Sequence, residues 1–329
     1  MVKAIGLLSG GLDSTLAVKL MLEQGIVVIG LNFVTPFCTC TKKGCQNQAK
    51  KVAEKFGIEL RIISAKEDYI SLVKNPKYGY GRNMNSCIDC RIFMFSRANE
   101  YMKKIGASFV FTGEVLGERP MSQNLRAMRI IEKESGLEGR LLRPLCARYL
   151  PPTVPEKDGI VDRNRLLSIT GRSRKPQISL VQSFGIEGYP CPAGGCRLTD
   201  PNFAKRLKDA FEHNEDTMAD VTLLRYGRHF RLPSGPKVIV GRNEQENEIL
   251  KGYFNLNNNR DLLLETRDFV GPIVLLKNYY SEEDIKIAAK LCLTYSDYKQ
   301  REMAYVKVLS LKEILIQPFL DLEYQKWRI

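Results

Sequence analysis

Short runs in which nearly every position is apolar alternate with stretches whose apolar positions recur every three or four residues, and this pattern fills the first half of the chain. Residues 3 to 8 (KAIGLL) predict a strand. After SGGLDS, the residues Leu16, Ala17, Leu20 and Met21 share one face of a helix predicted over 13 to 23. A second strand is predicted at 26 to 31, a helix at 46 to 56, a third strand at 59 to 63, a helix at about 89 to 104 and a fourth strand at 108 to 112. Strands apolar on both faces and separated by helices pack as a parallel sheet covered on two sides. The expected fold class is α/β, a doubly wound parallel sheet, over residues 1 to 200.

The pattern changes between residues 140 and 176. Pro144, Pro151, Pro152, Pro155 and Pro176 punctuate a stretch rich in Lys and Arg, which predicts an ordered basic loop with a short helix at 162 to 170. Beyond Asp200 an amphipathic helix is predicted at 202 to 211, with strands at 221 to 224, 229 to 232, 237 to 240 and 272 to 276. A further helix is expected at 281 to 293, with Ser281 as N-cap and Asp284 where a capping box has Glu or Gln. Residues 201 to 329 are therefore expected to form a smaller α+β domain.

Composition narrows the class. With 44% hydrophobic and 26% charged residues among 329, the chain is neither disordered nor fibrous. No run approaches the ~18 apolar residues of a membrane-spanning helix, and the first residues read as a buried strand, so a cytoplasmic protein with no membrane association is expected. The net charge of +13 favours a polyanionic partner. Nine cysteines, an odd count in a chain without a secretory signal, point to metal or thiol chemistry. They cluster as Cys38, Cys40 and Cys45, then Cys87 and Cys90, then Cys191 and Cys196, with Cys146 and Cys292 alone.

SGGLDS lies where a strand hands over to a helix. Backbone N–H groups exposed by Gly10 and Gly11, with the helix dipole behind them, suit a phosphate or pyrophosphate. Ser9 and Ser14 can donate to phosphate oxygens, and Asp13 can hold Mg²⁺ or position the nucleotide. The motif resembles the pyrophosphatase loop (PP-loop) of the ATP pyrophosphatases, of adenine nucleotide alpha hydrolase-like fold, which cleave ATP between its α and β phosphates and pass AMP to a substrate oxygen. NSCIDCRIFMF at 85 to 95, leading to a strand that ends in Thr-Gly, is similar to the corresponding stretch of the bacterial tRNA 2-thiouridylases. That likeness makes Cys90 the catalytic cysteine and puts Cys87 at a position that is Asp or Cys in the family. A thiol at a helix N-terminus is expected to have a lowered pKa. YPCPAGGC at 189 to 196 supplies a distant third thiol, Cys196, with Cys191 the alternative, because Gly194 and Gly195 permit close approach to a bulky group.

Three thiols leave two mechanisms open. Cys87, Cys90 and Cys196 can hold a [4Fe–4S] cluster whose fourth iron binds sulfide, or Cys196 can carry a persulfide from which Cys90 releases the sulfur. The pair plus one distant thiol favours the cluster. Cys38, Cys40 and Cys45 can hold zinc with a fourth ligand, relay sulfur or have no chemical part. Thr112 and Gly113, with Glu114, follow the fourth strand at the same edge and are expected near the nucleotide. Arg172, Arg174 and Lys175 read as contacts to phosphates of ATP or RNA. The stretch YGRHFRLPSGPKVIVGRNEQENEIL is similar to an NFACT-R-like, RNA-associated module of ribosome quality-control proteins. In it Arg225, Arg228, Arg231, Lys237 and Arg242 alternate with Tyr226, His229 and Phe230, a mixture suited to RNA backbone and unstacked bases. RNA capture is expected to fall to this tail and the basic loop.

Together the resemblances imply an ATP-dependent tRNA sulfurtransferase with ATP, Mg²⁺ and a [4Fe–4S] cluster as cofactors. Its partners would be tRNA and a sulfur donor, either free sulfide, a cysteine desulfurase or a sulfur carrier. A PP-loop sulfurtransferase or ligase acting on a small molecule, and a non-catalytic nucleotide-dependent RNA or ribosome-binding factor, are the alternative readings.

Overall fold

The computed structural model describes residues 1–38, 45–186, 195–257, 260–298, 302–309 and 311–329, without the side chains of 45, 46 and 255–257. The chain divides into two compact units, Met1–Asp200 and Pro201–Ile329.

The first unit runs β1 (Lys3–Leu7), α1 (Leu12–Glu23), β2 (Val27–Val34), α2 (Cys45–Phe56), β3 (Glu59–Ser64), α3 (Glu67–Lys74), α4 (Cys87–Ile105), β4 (Phe109–Thr112), α5 (Leu125–Glu134), β5 (Leu141–Leu142), α6 (Val154–Lys157) and α7 (Lys175–Ser183). Its five strands are parallel, in the order β3-β2-β1-β4-β5. Alternation along the strands divides their side chains between two layers. Ala4, Val28, Phe109, Phe111 and Leu142 pack with residues of α1, α2 and α7, while Ile5, Ile29, Leu31, Val110 and Leu141 pack with α4 and α5. Both layers are apolar, which explains why these strands read as continuous runs. β1 has its successor β2 on one side and β4 on the other, so the connections leave in opposite directions and a crevice opens beyond the carboxyl ends of β1 and β4.

The helix expected at 162 to 170 is only a single 3₁₀ turn, Arg163–Arg165. Arg163 bonds back to the carbonyls of Ala147 and Leu150, and Arg165 to that of Glu23, so tertiary contacts hold the loop in an irregular path. The helices α3, α5 and α7 and the short β5 were not expected.

The second unit runs α8 (Pro201–Glu212), α9 (Met218–Leu223), β6 (Arg228–Arg231), β7 (Lys237–Val240), α10 (Glu244–Asn257), β8 (Leu262–Thr266), β9 (Val274–Lys277), α11 (Glu282–Thr294), β10 (Ala304–Val308) and β11 (Lys312–Ile316). Its six strands are antiparallel, ordered β11-β10-β8-β9-β7-β6. Ser281 caps α11, and Asp284 closes the capping box. Residues 221 to 224, expected as a strand, belong instead to α9 and its C-cap, because Thr217 accepts the Asp220 N–H and starts a helix.

Between α8 and the sheet lies a buried charge network. Arg231 pairs with Asp209 at 2.6 Å and Glu215 at 2.9 Å, and Lys237, only 2% exposed, pairs with Glu215 at 2.5 Å and Asp209 at 3.4 Å. Burial alone would raise the Glu215 carboxyl, yet Lys237 and Arg231 hold it below its ordinary value. The stability this contributes is complete at neutral pH and is lost as the pH falls through the lowered value. Removing one member strands a buried charge, so Glu215→Ala is expected to cost the second unit roughly 3 kcal/mol or more. Denaturant unfolding of the two units would measure it, and an unchanged midpoint would show that the network is dispensable.

Candidate active site

The loop between β1 and α1 is shaped by close packing. Gly10 has a φ of 76°, and a Cβ there would stand 2.5 Å from the backbone nitrogen of Ala49. Gly113, just past β4, approaches the same loop so closely that a Cβ would meet the Asp13 carbonyl carbon at 2.4 Å. Gly11 is the N-cap of α1 and offers no side chain to the first-turn N–H groups. The Ser14 hydroxyl donates to the Gly11 carbonyl at 3.0 Å and lies 3.1 Å from the Ser9 hydroxyl, while Gly11 N–H donates to Ser9 Oγ at 3.3 Å. Ser9, Gly10, Gly11, Asp13, Ser14 and Gly113 are thus brought together at one strand-to-helix loop, of a shape that suits an anion, and Thr112 is buried.

Beside this loop stands a carboxylate pair that the sequence reading missed in part. Arg174 bonds Glu118 at 2.5 Å and lies 3.8 Å from Asp13. Asp13 Oδ1 and Glu118 Oε2 are both buried and accept no hydrogen bond. Burial and the charge of Glu118 push the Asp13 carboxyl up to about 6, against the opposing pull of Arg174 and Arg119. Two close carboxylates with unused oxygens are hard donors of the kind Mg²⁺ takes.

The thiols gather a short way along the same edge. Cys87 and Cys90 lie in the first turn of α4. Tyr69, buried on α3, donates to Cys90 Sγ at 2.9 Å, and Cys87 donates to Asn85 Oδ1 at 3.1 Å. Cys196 is brought in by a short strap: Met84 N–H donates to the Leu198 carbonyl, Asn83 to that of Thr199, and Arg197 N–H to that of Phe37. Cys38, past the end of β2, forms an antiparallel bridge with Cys196. Charges on Cys38, Cys87 and Cys90 all act on Cys196. Four thiols therefore share one neighbourhood, and Cys38 joins the three named from sequence. Cys40 and Cys191 lie outside the described residues, as does the side chain of Cys45. Among the described residues no three His, Cys, Asp or Glu side chains are drawn around a common metal position.

The expected lowering of the Cys90 pKa is corrected. Burial pushes the Cys90 thiol up to about 11 and that of Cys196 to about 12, outweighing the Tyr69 hydroxyl and Arg91 at Cys90. Behind the thiols, Glu114 is 2% exposed and ties Arg91 at 3.4 Å to Arg143 at 3.1 Å, so it buttresses α4 and does not face a ligand as expected. Arg119, exposed in the loop after β4, lies in electrostatic reach of Arg91, Glu118, Cys87 and Arg174.

The basic residues divide. Arg172 and Lys175 are exposed, whereas Arg174 turns inward to the carboxylates. Arg228 stacks on Tyr295 at 4.7 Å and Arg225 on Tyr226 at 5.6 Å. Arg231 and Lys237, expected at an RNA surface, are corrected: the network around Asp209 and Glu215 engages both.

Residues 2–150 match the profile of the Thiamine biosynthesis protein (ThiI) family, and residues 227–328 that of the NFACT protein RNA binding domain. The first stretch is thus similar to the ThiI family and the second to the NFACT RNA-binding domains, each over less than half of the chain. The chain is 34% identical over 114 residues to a tRNA-specific 2-thiouridylase MnmA of Syntrophotalea carbinolica, covering 32% of each chain. It is also 31% identical over 163 residues to a probable tRNA sulfurtransferase of Thermococcus kodakarensis, covering 49% of this chain and 39% of that one. The chain thus spans about a third of the length of these curated relatives. A solved 4-thiouridine synthetase–RNA complex with bound ATP aligns with 67% of this chain and 53% of its own, at 21% identity and a TM-score of 0.40.

Asp13 provides a direct check on the electrostatics of the first unit. Its raised pKa means the folded chain keeps, between about 4 and about 6, a proton that the unfolded chain has lost, so stability falls as pH rises through that window. Asp13→Asn should remove this penalty and raise stability at neutral pH by roughly 1–3 kcal/mol. Equal unfolding midpoints for both proteins from acid to neutral pH would contradict it.

Proposed function

We propose that the chain is a cytoplasmic ATP-dependent tRNA sulfurtransferase that adenylates a uridine carbonyl oxygen and replaces it with sulfur, releasing AMP and pyrophosphate. The observation that carries this reading is that the SGGLDS loop follows β1 while Cys38, bridged to Cys196, follows the adjacent parallel strand β2, so the nucleotide loop and the thiols open at one edge of the sheet. A reaction that first activates an oxygen with AMP and then displaces it with sulfur needs both at one substrate atom.

In this reading the open N–H groups of α1 hold the pyrophosphate, with Ser9 and Ser14 donating to its oxygens. Asp13 and Glu118 hold Mg²⁺, and Arg174 orients Glu118. Arg119 faces the negative charge that moves from ATP to the adenylated base. Adenylation converts a poor leaving oxygen into AMP. Cys87, Cys90 and Cys196 are the residues that would hold a [4Fe–4S] cluster, which would supply the sulfur nucleophile. Thiols are the soft donors that iron takes. Tyr69 fixes the Sγ of Cys90 from the buried side. The sulfur itself comes from outside, as free sulfide or from a desulfurase or carrier. Exposed Arg172 and Lys175, and Arg228 on its tyrosine, are the proposed contacts to tRNA phosphates and bases, with the NFACT-like stretch as the RNA-holding unit.

The test separates the two halves of the reaction. With anaerobically prepared protein, ATP, Mg²⁺, sulfide and tRNA, Cys90→Ala should still release pyrophosphate in a tRNA-dependent way while losing thiouridine, and Asp13→Ala should lose both products. Pyrophosphate release indifferent to tRNA would favour a small-molecule substrate. Undiminished thiolation by Cys90→Ala would overturn the assignment of the thiols.

A further inference from the structure

Cys38 and Cys196 face each other across two short extended segments. They are antiparallel bridge partners, and the adjoining hydrogen bond runs from Arg197 N–H to the Phe37 carbonyl at 2.8 Å. That bond joins the residue after Cys196 to the residue before Cys38, so the two cysteines form a non-hydrogen-bonded pair, the position at which opposing side chains come closest. Cα atoms in such pairs are about 4.5 Å apart. Disulfides span about 4.4–6.8 Å between Cα atoms. Both cysteines are free thiols and neither is fully buried. Cys38 Sγ lies 3.4 Å from the Thr35 hydroxyl, Cys90 Sγ accepts the Tyr69 hydroxyl at 2.9 Å, and Cys87 donates to Asn85 at 3.1 Å.

The geometry points to a modification site that pairs one of the proposed cluster thiols with a cysteine outside that set: Cys38 and Cys196 close a reversible cross-strand disulfide under oxidising conditions. This inference does not rest on the sulfurtransferase reading. With a low-molecular-weight disulfide such as glutathione disulfide as oxidant, one thiolate of the pair attacks a glutathione sulfur, and a mixed disulfide forms as the first glutathione leaves as thiolate. The second cysteine then attacks the protein sulfur of that mixed disulfide and expels the second glutathione. Two protein thiols are oxidised, one glutathione disulfide is reduced, and the two thiol protons end on two glutathiones. The link withdraws Cys196 from the group shared with Cys87 and Cys90. It also shields Cys196 from irreversible oxidation, and a dithiol restores it. Cys38 is thereby a resolving partner for Cys196.

The test uses the full metal-free chain treated with glutathione disulfide, alkylated under denaturing conditions and mapped by mass spectrometry after digestion. The expected product is a Cys38–Cys196 cross-linked peptide that disappears with dithiothreitol. It should be absent from Cys38→Ser and present in a Cys87→Ser/Cys90→Ser double variant. Linkage of Cys196 to Cys87, Cys90 or Cys191, or a chain whose Cys38 and Cys196 both stay fully alkylatable, would overturn the proposal.

Discussion

The candidate site depends on one contact between main chains. Gly113, leaving β4, lies against the carbonyl of Asp13 with no room for a side chain, and this fixes the nucleotide cradle to the strand that leads on toward Glu114 and Glu118. The contact exists because β1 is flanked by β2 and β4, which sets two loops side by side at the carboxyl edge of a parallel sheet. From the cradle side come hard donors, Asp13 and Glu118. From α4 and the segments past β2 and α7 come soft ones, the thiols.

Charge is distributed to match. Arg91, Arg143, Glu114 and Glu132 make a buried chain of ion pairs behind the thiols, which leaves Arg91 committed to structure. Arg174 is likewise occupied by Glu118. Arg119, exposed after β4, has no such partner among the salt bridges of the described residues and stays in electrostatic reach of Glu118, Arg91 and Arg174.

Much of this was legible in the sequence because it is local. β1, β2 and β4 are nearly continuous apolar runs, and SGGLDS and Cys87–Cys90 each sit at the start of a helix, where type and spacing suffice. What could not be read depends on distant packing. Cys38 could be read as a zinc ligand, a sulfur relay or a residue with no chemical part, and only the fold shows its bridge to Cys196, far away in the chain. Helix-terminus reasoning lowered the Cys90 pKa, but burial outweighed it. Arg231 belongs to an alternation of cations and aromatics that reads as an RNA surface, yet it lies on a strand facing Asp209 and Glu215, and no local pattern reveals those partners. Residues 162 to 170 have helical spacing, but the arginines that would extend the helix bond to carbonyls elsewhere.

The central claim is that the nucleotide cradle and the thiols act in sequence on one carbonyl oxygen. It is tested most directly by following that oxygen. Transfer RNA carrying a heavy-oxygen label at its uridine carbonyls would be incubated with the anaerobic protein, ATP, Mg²⁺ and sulfide, and the AMP recovered for mass spectrometry. The account predicts that the label appears in the AMP phosphate, one atom for each thiouridine formed. Unlabelled AMP accompanying thiouridine would mean that ATP is cleaved without activating the base, and would contradict it.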